Sequence, residues 1–227
     1  MMNQEGRNDP TGTGIEAPAL VYTEARGEYA ARLRELELVC FPNLQDTDLL
    51  TEEEVRVQEE VFPEGAFMVL DGERVVGMAS GVFIDFDLAD LQHSLSDIVG
   101  MDDVYPHDPD GEWYYGLDIA VHPDYRGLGI GKRLYDLRKG VVRRFNKHGI
   151  IAGGVIPGYA DHKDQMSADT YVDAVKAGEL FDPTLSFQLA NGFQALGALA
   201  DFVHDETTDG WGSFIIWYNP DYMAPDA

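Results

Sequence analysis

Residues 114–139 read YYGLDIAVHPDYRGLGIGKRLYDLRK, and the fold turns on the order of chemistry along them. Leu117, Ile119, Ala120 and Val121 form an apolar strand that ends at a turn marked by Pro123. Gly127, Gly129 and Gly131 then alternate, and Leu134, Leu137 and Val141 recur at helical spacing. The pattern predicts strand, glycine loop and helix N-terminus in direct succession. Alternating glycines let the backbone turn its N–H groups toward one point, and the helix start adds unpaired N–H groups and the positive end of its dipole. Such a nest suits phosphate oxygens.

Spacing narrows the kind of phosphate. A dinucleotide fingerprint G-x-G-x-x-G needs glycine where Lys132 stands. A P-loop needs one more residue before Gly131 and a hydroxyl where Arg133 stands. The pattern present is R-x-x-G-x-G, from Arg126 to Gly131, directly after D-I-A-V-H-P. This stretch resembles the acetyl-CoA pyrophosphate loop of the GNAT acyltransferase superfamily.

Working outward, residues 20–25 alternate like a strand. Residues 28–41 read as a helix with Leu33, Leu36 and Val39 on its apolar face, ended by Pro42. Thr51 before three glutamates predicts an N-cap and a second helix to about residue 62. Strands follow over 66–70 and 75–84, joined by a turn at Asp71-Gly72-Glu73. Residues 85–110 read as an exposed acidic excursion with a short helix, with overhang of a substrate cleft as the alternative; its His93 and His107 lack tight ligand spacing, so no metal is expected. Residues 149–156 are a buried strand whose mid-strand glycines imply a bulge or a close approach. A long segment, 157–187, holds a helix over 168–177 stopped by Gly178, and a short helix over 185–190 ends at Asn191-Gly192. Residues 193–203 and 211–218 read as a closing antiparallel pair.

In element order this resembles the GNAT core over roughly residues 20–220. The resemblance implies an α+β (mixed α/β) fold: a twisted, mostly antiparallel mixed sheet of about seven strands flanked by helices. Residues 1–17 are expected to be a disordered lead-in, 18–220 one domain with insertions near 85–110 and 157–186, and 221–227 a tail. The segments CFP at 40–42, GGVIPGYADH, DPTLSFQLANGF and WYNP look more narrowly like the acetyltransferase portion of proteins that join a GNAT domain to a nitrilase-type carbon–nitrogen hydrolase. A separate hydrolase partner follows by analogy only, and a homodimer is allowed.

Composition limits the partners. Asp and Glu number 41 against 16 Lys and Arg, a formal net charge of -25, so no nucleic-acid partner is expected. The acids are dispersed, which points to a solvation adaptation in a host with high internal salt, where the Debye length falls to ~3 Å and steering is weak. With no apolar run of spanning length and no signal-like start, a cytoplasmic protein without membrane partners is expected. Cys40, the only cysteine, reads as a small buried thiol.

The resemblance implies acetyl-CoA as cosubstrate, no metal, and direct attack by a primary amine of a small molecule on the thioester. Backbone amides of Ile119, Ala120 and Val121 are expected to hold pantetheine, and those of Arg126, Gly127, Leu128, Gly129, Ile130, Gly131 and Lys132 the pyrophosphate. Asn191 is a further coenzyme contact or simply a helix stop. Asp118 is the expected base, either catalytic or a structural carboxylate, with Tyr115 as rival. Many relatives place a tyrosine five residues before the closing G-F phenylalanine, where this chain has Gln188. Tyr159 or His162 from the long insertion is the expected thiolate acid in its place, with water or an unassisted step as alternatives. A non-catalytic acyl-CoA sensor and a protein or peptide N-acetyltransferase are the other functional classes.

Overall fold

The computed structural model describes residues 18–100 and 105–224. The expected lead-in over 1–17 and the last three residues of the tail lie outside them. The elements are β1 Leu20–Glu24, α1 Ala30–Cys40, α2 Glu52–Val61, β2 Phe67–Asp71, β3 Arg74–Ile84, α3 Leu95–Val99, β4 Trp113–Val121, α4 Ile130–Arg144, β5 Gly149–Val155, α5 Ala168–Ala177, α6 Leu185–Ala190, β6 Gln194–Leu199 and β7 Gly212–Tyr218. The strands form one seven-stranded sheet, β1-β2-β3-β4-β5-β7-β6. Every pair is antiparallel except β4 with β5. This is the acyl-CoA N-acyltransferase architecture that the order of elements implies.

Alternation along the strands explains the layers. On one face Val69, Val76 and Ala79 pack with Ile130 and Leu134 of α4. On the other, Met68, Leu70 and Met78 pack with Leu33, Leu36 and Val55 of α1 and α2. A third cluster, around Val82, Tyr115, Phe202 and Phe214, is covered by Phe86, Leu91 and Leu95 of the acidic excursion. Thr51 caps α2 through a capping box with Glu54, as the Thr-Glu spacing predicts.

The phase of α1 differs from the expected one. Val39 is 49% exposed, whereas Glu37, one turn after Leu33, is 1% exposed. The apolar stripe therefore contains a carboxyl group. The closing strand is also shorter than expected, because β6 stops at Leu199 and residues 200–211 turn back through left-handed Asp201, Asp209 and Gly210.

Two irregularities open the sheet. Between Ala79 and Gly81 of β3, strand β4 contributes Leu117 and Asp118 opposite Ser80 alone, a β-bulge. Strands β4 and β5 pair only from Trp113↔Gly149 to Tyr115↔Ile151. Beyond Tyr115 they separate, leaving a wedge between the end of β4 and the end of β5.

Candidate active site

The wedge is continuous with the glycine loop. Gly127 and Gly129 both have φ of 80°, in the left-handed region that side chains avoid, and Gly129 is the N-cap of α4. The first-turn amides of this 15-residue helix thus open onto the loop. Arg126 is pinned by its Nε, which donates to the Val121 carbonyl at 3.2 Å.

A cavity of about 920 Å³ runs from this loop into the wedge. Ile119, Ala120, Val121, Arg126, Gly127, Gly129, Ile130, Gly131 and Lys132 line it, so nearly all the expected coenzyme residues converge. Leu128 points to solvent and is 51% exposed. Asn191 is not in the wall: its side chain donates to the Phe187 carbonyl at 2.8 Å and it ends α6, the helix-stop alternative. Pro157, Phe181, Pro183 and Thr184 bring the long insertion to the cavity. The insertion is anchored by buried Asp182, which accepts from the amides of Gly158, Thr184 and Leu185 and from the Tyr171 hydroxyl. Among the described residues of the 85–110 excursion none lines the cavity, and Phe86, Leu88, Leu91, Leu95, Ile98 and Tyr105 cover core instead of overhanging the cleft.

The two mid-strand glycines of β5 mark close approaches. A Cβ at Gly153 would lie 2.2 Å from the Phe202 ring, and one at Gly154 would lie 2.7 Å from the Gln188 amide. Gln188 therefore packs under the wedge, buried, with its Oε1 unpartnered among the described residues.

Three of the expected catalytic assignments change. The Tyr159 hydroxyl donates to the Met166 carbonyl at 3.1 Å and its ring packs on Tyr171, so it belongs to the fold of the insertion and does not face the cavity. His162 stacks on the same Tyr171 ring. Tyr115 is fully buried: its hydroxyl accepts from Gly153 N at 3.1 Å and meets His93 Nε2 at 2.7 Å. Since His93 Nδ1 faces the Leu91 carbonyl, Nδ1 carries the proton and Nε2 accepts from Tyr115. This chain ties the excursion to the fork of β4 and β5. Tyr135 is the tyrosine that sequence reading missed. It lies on the apolar stripe of α4, lines the cavity, and has its hydroxyl beside the Gln188 amide. Burial pushes its phenol up, while Arg138 and Gln188 act in the opposite sense.

Asp118 projects from the bulge toward α1. Its Oδ2 accepts from Ser80 Oγ at 2.7 Å, and it is not in the cavity wall. Glu37 stands against it from α1 and accepts from Leu50 N at 2.5 Å. Burial first, and then the charge and hydrogen bond of Asp118, push the Glu37 carboxyl from an ordinary 4.5 to about 10; the Leu50 amide opposes this and Glu54 adds to it. Glu37 is therefore a carboxylic acid at neutral pH, and it donates to Asp118. On the other face buried Arg138 spans the bulge, donating to the carbonyls of Ser80 and Asp118 with its guanidinium 5.8 Å from the Tyr114 ring. Neither Glu37 nor Arg138 belongs to the sequence-derived site. A charged residue on an apolar helix stripe is the signal that marks both.

Cys40 lines the cavity, and its thiol donates to the Val121 carbonyl at 3.4 Å. Burial pushes the thiol up, so it is not poised as a nucleophile. Among the described residues no group of three metal-ligating side chains occurs, and no helix is long and apolar enough to cross a membrane.

Comparison with known proteins agrees with this geometry. The chain is 36% identical over 193 residues to the probable hydrolase YhcX of Bacillus subtilis (strain 168), matching 85% of this chain but spanning only 37% of that protein. It is 32% identical over 206 residues to the uncharacterized N-acetyltransferase YkwB of the same organism, covering 88% of each. Among solved structures, the GphF GNAT-like decarboxylase in complex with isobutyryl-CoA superimposes with a TM-score of 0.75 at 22% identity, over 88% of this chain and 99% of that one. The model of the acetyltransferase (GNAT) family matches residues 30–153, and with the 88% coverage of YkwB this shows that the chain belongs to that family.

Proposed function

We propose that the protein transfers an acetyl group from acetyl-CoA to a primary amine of a small molecule by direct attack. The observation that carries this reading is the continuity of the cavity, from the glycine loop through the β4–β5 wedge to Leu44 and Asp205. One end offers backbone N–H groups for a pyrophosphate, and the other is walled by side chains of separate segments. Phe181, Pro183 and Thr184 bring the long insertion to the cavity wall, which favours a small acceptor over a peptide laid in an open groove.

In this reading the amides of β4 hold pantetheine and polarise the thioester carbonyl. The amine forms the new C–N bond as the C–S bond breaks. Asp118, whose Oδ2 accepts from Ser80 Oγ, takes the proton of the amine. Its carboxylate is outside the cavity wall, so in this reading the proton passes to it through one intervening water. Tyr135, protonated and in the cavity wall, is the group that returns a proton to the departing thiolate, in place of Tyr159. The acid excess is taken as an adaptation to salt, so the assay belongs in molar KCl as well as in dilute buffer.

A second reading has one observation in its favour. Gln188 cannot donate an acidic proton, and a reaction that leaves the thioester intact, such as loss of CO2 from a β-carboxyacyl-CoA, needs no thiolate acid. The decarboxylase fold neighbour is consistent with it.

Thiol release from acetyl-CoA across amines, amino acids and peptides tests the first reading, and CO2 release from malonyl-CoA without thiol release tests the second. Amine-dependent release with acetylated product supports transfer to small amines. CoA binding with no turnover of either kind contradicts both and supports a sensor. Co-purification of a separate carbon–nitrogen hydrolase is the corresponding test of the partner expected by analogy.

A further inference from the structure

Of the residues lining the cavity, Asp205 is the only one with a carboxylate among the described residues. It stands in the turn between β6 and β7 and is 6% exposed. Its Oδ1 accepts from Thr207 N at 2.8 Å and from Thr207 Oγ1 at 2.5 Å, and its backbone carbonyl accepts from Gly210 N at 2.9 Å. Among the described residues no donor reaches Oδ2. The nearby cation Lys163 donates to Asp209 Oδ1 at 2.6 Å and to the Glu206 carbonyl at 3.1 Å, so it reaches Asp205 by charge alone and makes no hydrogen bond to it. The basic residues of the cavity wall, Arg126 and Lys132, lie at the glycine loop. The cavity is thus cationic where the donor pyrophosphate is placed and anionic where the β6–β7 turn meets Leu44, Val155 and Pro157.

A carboxylate oriented by two donors and packed against apolar walls is costly unless a cation meets it. The amine that is acetylated does not supply a lasting one, because it must give up its proton to attack. A partner for Asp205 has to remain charged throughout the reaction. We infer that Asp205 binds a second cationic group of the acceptor through Oδ2, so that the acceptor is a diamine or an amine that also carries a guanidinium. This rests on the acetyltransferase reading for the identity of the reacting end, whereas binding of the second cation can be measured without turnover.

The test pairs calorimetry in the presence of CoA with steady-state acetylation. The probes are 1,3-diaminopropane to 1,6-diaminohexane, agmatine, n-butylamine and 1-butanol, all at one fixed high salt concentration. The expected result is that wild type prefers at least one dication over n-butylamine, and that Asp205→Asn weakens its binding and raises its KM by about 30-fold or more with little change in kcat. Glu206→Gln, the same charge change on an exposed neighbour outside the cavity wall, should behave as wild type. Asp205→Glu keeps the charge and should keep the preference while shifting the best chain length, which controls for misfolding of the asparagine variant. Acetylation with equal dication preference in wild type and Asp205→Asn overturns the inference and leaves the acetyltransferase reading standing. If no amine is acetylated that reading fails, and Asp205-dependent dication binding still supports the inference while its absence overturns it.

Discussion

The two ends of the cavity are built by different means. The end proposed for the donor comes from one continuous run, β4, the glycine loop and the first turn of α4, and its candidate binding groups are backbone amides. The end proposed for the acceptor is assembled from residues far apart in the chain, Leu44, Val155, Pro157, Phe181 and Asp205, and its candidate binding groups are side chains. Backbone recognition needs glycines at fixed spacing and so leaves a motif in the sequence. Side-chain recognition is set by which segments the fold brings together, and no spacing records it.

The largest expected effect breaks the donor end. Gly129→Val forces a β-branched residue into φ of 80° at the helix N-cap. Acetyl-CoA affinity should fall by at least ~100-fold in calorimetry with an unchanged circular dichroism spectrum, and unchanged affinity would show that the loop does not carry the donor. Next in size is Asp118→Asn, which should lower kcat by ~10²-fold and leave acetyl-CoA affinity intact. An unchanged kcat/KM would make Asp118 purely structural. Tyr135→Phe should lower kcat by about 10-fold, most for acceptors whose chemical step is slow. Gln188→Tyr restores a phenol at the usual position but meets Gly154 and the wedge, so it should not raise the rate.

The smallest effect on rate and the clearest on stability belongs to Glu37. The folded protein keeps this carboxyl protonated up to about pH 10, whereas the unfolded chain ionises it near 4.5. The folded state therefore binds the extra proton between these values, and the stability from this group is complete below about pH 4.5 and lost as pH rises toward 10. The slope contributed is at most about 1.4 kcal/mol per pH unit. Facing groups are Asp118 from β4, Glu54 from α2 and the Leu50 amide. Glu37→Gln keeps a donor for Asp118 and an acceptor for Leu50 but cannot ionise. Urea unfolding from pH 5 to 9 should give a flatter profile for the variant, with turnover within about threefold of wild type; parallel profiles would mean that Glu37 is not the group holding the proton.

Much of the fold was legible because it depends on local periodicity. The strand–loop–helix order, the Thr51 cap, the Gly178 stop and the helices over 168–177 and 185–190 all appear where the residue pattern puts them. The candidate site was legible only where it is made of backbone. Tyr159 was a reasonable candidate by its place in an insertion, but its hydroxyl is used inside that insertion. Tyr135, Arg138 and Glu37 were hidden on helices whose apolar stripes tolerate a polar tip once the sheet supplies a partner. For Glu37 that partner is Asp118 at a β-bulge, and a bulge is a mismatch between two strands that neither strand's own sequence shows.

Cys40 gives a direct test of where the donor binds, because it is the only cysteine and its thiol sits at Val121 in the cavity wall. Alkylation by iodoacetamide, followed by intact mass, should slow by about 10-fold or more as acetyl-CoA saturates the protein, with a midpoint equal to the calorimetric Kd. Alkylation that continues at the same rate at saturating acetyl-CoA would contradict placement of the acyl-CoA in the β4–β5 wedge.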